Sequence, residues 1–143
     1  MELTFCSCVV AVHVMANLIA FGVWFAWPLL PGETAAAHRA RAKILRVVVT
    51  RAATVALVAG VYLASVAGLF REVWVLVPLV ILVALLGMTG SFLIPSEDTL
   101  ADLADGGDAA QYAALEARVR GAVLAGAGLV LVAVFLMITK LGG

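Results

Sequence analysis

The chain has 143 residues, 65% of them hydrophobic and 13% charged, with nine Lys+Arg against nine Asp+Glu for a formal net charge of zero. That composition excludes a soluble domain with a charged surface. A balanced charge with no basic stripe or interleaved aromatics argues against a nucleic-acid partner.

A helix needs about 20 mostly apolar residues to cross a hydrocarbon core. Four such runs, residues 3–30, 45–70, 73–94 and 119–140, take up most of the sequence. None shows the in/out alternation of barrel strands, and backbone in lipid has to satisfy its own hydrogen bonds. The prediction is therefore all-α: one four-helix transmembrane domain over residues 1–143, surrounded by lipid bilayer.

The first run is too long for a signal-peptide core, and Glu2 stands where a basic residue is expected, so the run is predicted to be retained. Cys6 and Cys8, two apart, point to nearly opposite sides of a helix and read as small apolar residues. His13 and Asn17, four apart, share a face with Cys6, Ala20 and Trp24. His13 falls about 15 Å down the helix, near the bilayer middle. Polar groups at that depth are costly and usually face the bundle interior. Three roles are open to His13: a hydrogen bond to a neighbouring helix, axial ligation of a tetrapyrrole, or proton relay.

The first loop begins at Pro31, with Thr34 as a candidate N-cap for a basic extension of the second helix, and it carries the only other histidine, His38. The second helix presents Arg51, Thr54, Tyr62 and Ser65 near one face, which is expected to meet the His13 face. Arg51 lies at a depth where it can meet Trp24 or Trp27 through a cation–π contact, or else snorkel to lipid phosphate. After the third run, Pro95-Ser96-Glu97-Asp98 resembles the start of a short amphipathic helix capped by Ser96, with Leu100, Leu103 and Ala104 as its apolar face and Gly106-Gly107 as its stop. A second stretch from Asp108 leads into the fourth run. There Ala122, Gly126 and Ala133 line one face, with Gly121, Ala125 and Gly128 beside it, the small residues that let membrane helices pack closely.

The two longer loops and their flanks carry Arg39, Arg41, Lys43, Arg46, Arg51, Arg118 and Arg120, whereas the other end has only Arg71 and Lys140. By the positive-inside rule both loops are expected in the cytoplasm, with both termini outside.

His13-Val14-Met15 followed by Phe21-Gly22, then Gly60-Val61-Tyr62-Leu63, Pro95 and the closing Leu136-Met137-Ile138-Thr139-Lys140, occur in an order and spacing that span almost the whole chain. In these the chain resembles a family of bacterial four-helix integral membrane proteins of unknown function, distantly similar to copper-resistance D-type proteins and to membrane-bound, HemJ-type protoporphyrinogen oxidases. The resemblance implies a multi-pass protein of the bacterial inner membrane. It also implies haem or porphyrin binding with His13 and Lys140 at the matching positions. The relatives' Trp-x-Gly-Gly-like segment is here Ala20-Phe21-Gly22-Val23, and their Lys-Pro ending is Lys140-Leu141. Oxidase activity is therefore not carried over.

Two functions follow as expectations. The first is a binding or accessory protein whose interior cluster, His13, Asn17, Tyr62 and Lys140, holds haem, a porphyrin or another small ligand, with Arg51 and Trp24 forming an inner polar site. The alternative is a structural subunit whose small-residue faces dock onto other membrane proteins or further copies of itself. No metal site is expected beyond haem ligation by His13.

Overall fold

The computed structural model describes residues 2–30 and 32–140, so Pro31 and Leu141, used in the loop and C-terminal readings, lie outside the described residues. Helix α1 (Glu2–Ala26) ends in a 3₁₀ turn, Trp27–Leu29, with Pro28 at its start. Thr34 caps α2 (Ala35–Ile44), its Oγ1 accepting from the Ala37 amide at 3.2 Å. This helix runs through a π-turn, Leu45–Val49, into α3 (Thr50–Val66). Helix α4 (Val73–Met88) does the same through Thr89–Leu93 into α5 (Ile94–Ala104). Gly106, at φ 129°, supplies the positive-φ backbone that turns the chain after α5. Asp108 then caps α6 (Ala109–Thr139) by accepting from the amides of Ala110 and Gln111.

Residues Phe5–Leu29, Ala35–Val66, Val73–Ala104 and Ala109–Thr139 form four helices, each long and apolar enough to cross a membrane. Their outward positions are apolar as well: Leu18 is 63% exposed, Val80 65% and Ile138 76%. An outward face of that kind is stable against lipid, not water. The chain is a multi-pass membrane protein of the all-α class.

The helices form a ring in which α1 packs on α3, α3 on α4, α4 on α6 and α6 on α1, with α2 laid against α5 at the loop end. Phe5 meets Tyr62, and Lys140 meets Trp74, at the end that holds both described termini. The filled core occupies the loop-end half, where Trp24, Trp27, Leu45, Leu85, Leu93, Val119 and Val123 interlock. Nearer the middle, α1 and α3 meet through Ala16, Ala20, Ala53 and Ala56, the close small-residue contact that membrane helices favour.

Three local expectations need correction. Ser96 does not cap a helix, because the π-turn carries the third span straight into α5 and leaves Ser96 inside it, buried. The inward face of α5 is Ser96, Glu97, Leu100 and Ala101, while Ala104 is exposed. On α6, Gly126 and Ala133 are buried, but Gly121, Ala125 and Gly128 point outward.

Candidate ligand-binding site

The inner face of α3 consists of Ala53, Ala56, Ala59, Gly60 and Ala64, and the missing side chain at Gly60 lets the His13 ring approach the backbone. A Cβ at Gly60 would lie 2.9 Å from His13 Cε1. His13 Nδ1 donates to the Ala56 carbonyl at 2.8 Å. A carbonyl can only accept, so this contact fixes the proton on Nδ1 and leaves Nε2 as the acceptor. The Asn17 amide nitrogen covers that lone pair at 3.1 Å and also donates to the His13 carbonyl at 2.8 Å.

His13 and Asn17 lie on the wall of a cavity of about 530 Å³ between α1, α3, α4 and α6. Gly60, Trp74, Pro78 and Val130 also line it, and most of the remaining wall is aliphatic. Its size falls within the range of about 300–1,000 Å³ typical of ligand sites, and an apolar wall with one polar pair is their usual chemistry.

Of the four residues expected to cluster, the fold brings together only His13 and Asn17. Tyr62 is 40% exposed, its ring edge-on to Phe5 at 6.2 Å. The helix face it shares with Arg51, Thr54 and Ser65 points outward, because the alanines and Gly60 take the inward positions. Thr54 and Ser65 return their hydroxyls to the carbonyls of Thr50 and Tyr62 on their own helix. Lys140 is exposed at the terminal end, with Nζ 5.5 Å from the ring centroid of Trp74, and Trp74 lines the cavity. The inner polar pair is also redistributed. Arg51 is exposed, Trp24 is buried against Gly126, and the guanidinium over a tryptophan is that of Arg41, 5.2 Å from Trp27.

A second polar group, unforeseen from the sequence, lies at the loop end. His38 and Glu97 are both 0% exposed, and His38 Nδ1 lies 2.6 Å from Glu97 Oε2. On the other side of the ring, His38 Nε2 is 2.9 Å from the Tyr112 hydroxyl, which donates to the Gly32 carbonyl at 2.8 Å. Since that hydroxyl has a single proton, Nε2 must carry the proton between itself and Tyr112. One proton is then left between Nδ1 and Oε2, so the pair is neutral overall whichever atom holds it. Exposed ion pairs flank it, Arg39 with Asp105 at 2.7 Å and Arg46 with Asp98 at 2.9 Å, tying α2 and the following turn to α5 and its C-cap.

The sequence did carry a signal for this group. His38 falls in the stripe Ala35, His38, Ala42, Leu45, and Glu97 in the stripe Leu93, Glu97, Leu100, Ala101, so each polar residue occupies an inward position of an amphipathic pattern.

No family model, curated protein or solved structure matches the chain. No family is assigned, and the resemblance to copper-resistance D-type and HemJ-type proteins rests on its short motifs.

Proposed function

We propose that this protein binds a small, mostly apolar ligand within the membrane, in the cavity beside His13 and Asn17, with haem or a porphyrin as the leading candidate. The observation that carries the reading is the state of His13. Its Nδ1 is anchored on Ala56, which leaves Nε2 as an acceptor held only by the Asn17 amide, and both residues line an apolar cavity of about 530 Å³. Imidazoles that ligate metals are commonly held in this way through the other ring nitrogen. The residues fit a tetrapyrrole with one protein ligand. His13 Nε2 would bind it once the Asn17 amide turned aside, the aliphatic wall would enclose it, and Lys140 beside Trp74 would meet an acidic group at the terminal end. When bound, the group would supply redox or ligand-exchange chemistry. His13 would hold it, and the surrounding wall would keep water away.

Expressed with ample haem, the wild-type protein should purify with a Soret band, His13→Ala should lose the band, and Lys140→Ala should retain less pigment. A colourless wild type, together with His13→Ala as stable as wild type, would remove the tetrapyrrole reading. The structural-subunit reading is favoured by one observation: both nitrogens of His13 already have protein partners, so the side chain bridges α1 to α3 without a ligand.

The reading places the chain in the bacterial inner membrane, with both termini outside. Support comes from the seven basic residues at the loop end against two at the other. Ser96 is buried, so the exposed Asp102 is the better reporter position. A cysteine there, in a background lacking Cys6 and Cys8, should be protected from an impermeant thiol reagent in intact cells and react after lysis. Labelling in intact cells would reverse the orientation.

A further inference from the structure

A second cavity, of about 340 Å³, lies at the loop end between the Trp27 turn, α2, α5 and α6, lined by Trp27, Arg41, Glu97, Glu116, Arg120 and Leu124. Two of these lining residues each hold a buried polar atom with no hydrogen-bond partner among the described residues: Glu97 Oε1, an acceptor, and Arg41 Nε, a donor. Their other atoms are engaged. Glu97 Oε2 is held by His38, and Arg41 uses a terminal nitrogen on the Leu30 carbonyl while its plane covers Trp27. A buried polar group without a partner is costly enough that nearly all acquire one, whether protein, water or ligand.

The charges select the occupant. The His38–Glu97 pair is neutral, and Glu116 offsets Arg120 at 3.5 Å, which leaves the Arg41 charge uncompensated on the wall. An anion with an acceptor oxygen for Arg41 and an attached N–H or O–H donor for Glu97 would satisfy both atoms. The cavity then continues along α6 to Val123 and Leu124, and Leu124 is 58% exposed on the apolar outer face of that helix. Polar at one end and opening onto a lipid-facing helix at the other, it matches an amphiphile at the interface.

We propose that this cavity is a phospholipid site, with the phosphate on Arg41, a head-group ammonium or hydroxyl donating to Glu97 Oε1, and an acyl chain leaving over Leu124. The choice of donor makes the proposal discriminating. Ethanolamine and glycerol head groups carry an N–H or O–H, whereas choline carries the same phosphate and no donor.

The test is native mass spectrometry of the full chain, delipidated in detergent and then offered phosphatidylethanolamine, phosphatidylglycerol or phosphatidylcholine with identical chains. One bound molecule of either donor-bearing lipid should persist at concentrations about tenfold below those needed for phosphatidylcholine, the factor expected from one charge-assisted hydrogen bond. Glu97→Met should erase that preference. Because that change touches the buried network, Leu124→Trp provides an independent variant at an exposed position, and it should reduce bound lipid to background by filling the mouth. Equal retention of all three lipids, or unchanged retention in Leu124→Trp, would overturn the proposal and leave the cavity to water. Binding of soluble glycerophosphoethanolamine as tight as that of the lipid would also overturn it, assigning the site to a free phosphodiester.

Discussion

His38→Ala should destabilise the protein by about 3–5 kcal/mol, the cost of breaking a buried ionisable pair and leaving one member without its partner. The partner left behind is Glu97, fully buried, with Oε1 already unpaired. The same substitution strips the Tyr112 hydroxyl of its imidazole and loosens the contact through Gly32 to the turn before α2. Tyr112→Phe is a milder version of the same break. It removes both hydrogen bonds of the hydroxyl, the one accepted from His38 and the one donated to the Gly32 carbonyl, and should cost about 1–3 kcal/mol. The decisive variant is the double change His38→Leu with Glu97→Leu. Replacing a whole buried pair with apolar side chains is often neutral or stabilising, so the double variant should recover most of the loss in chemical unfolding measured in micelles. If the double variant is as unstable as the sum of the singles, the two groups are not coupled as their 2.6 Å contact requires.

The four spans were legible because a bilayer imposes a length and an apolar content that few other structures meet, and the basic residues at 39–51 marked where two of them leave the hydrocarbon. Two features of the fold were not. Through Leu45–Val49 the second span runs on into the basic extension expected of it, but at Thr89–Leu93 the third span also continues unbroken, where Pro95 reads as a fresh helix start. As a result Ser96, placed as a cap by its position after Pro95, lies inside α5. The inner face of α3 was misassigned for a related reason. Polar residues at depth are expected to point inward, but Thr54 and Ser65 satisfy their hydroxyls on their own backbone and gain nothing from the interior. The inward positions went to Ala53, Ala56 and Gly60, whose small size lets α1 come close enough for His13 to reach a carbonyl. His38 reads as a loop residue by sequence position alone, whereas its helical periodicity with Ala35, Ala42 and Leu45 puts it in the core. Of the candidate site, therefore, the pairing of His13 with Asn17 was readable from their four-residue spacing. The cavity beside them is enclosed by residues of four helices together, which no single helix encodes.

The second large effect is expected at Trp24, where Trp24→Ala should cost about 3–5 kcal/mol. Hydrophobicity does not drive one membrane helix onto another, since lipid is as apolar as leucine, so the contact between α1 and α6 depends on shape. Trp24 is 3% exposed, and its six-membered ring occupies the space where a Cβ on Gly126 would stand. Removing the indole leaves a void that α6 cannot close without dragging the Val119, Val123 and Val130 side chains with it, as they sit in the same packed cluster. Gly126→Val is the complementary disturbance. Its side chain overlaps the indole and should cost about 1–3 kcal/mol by overpacking. Together the two changes should partly compensate, because the valine enters the space that the indole vacates. Unfolding of the double variant should then fall short of the summed single losses by more than about 0.5 kcal/mol, the level at which neighbouring sites count as coupled. Strict additivity would mean that Trp24 and Gly126 do not share one space, and the close approach of α1 to α6 would lose its physical basis.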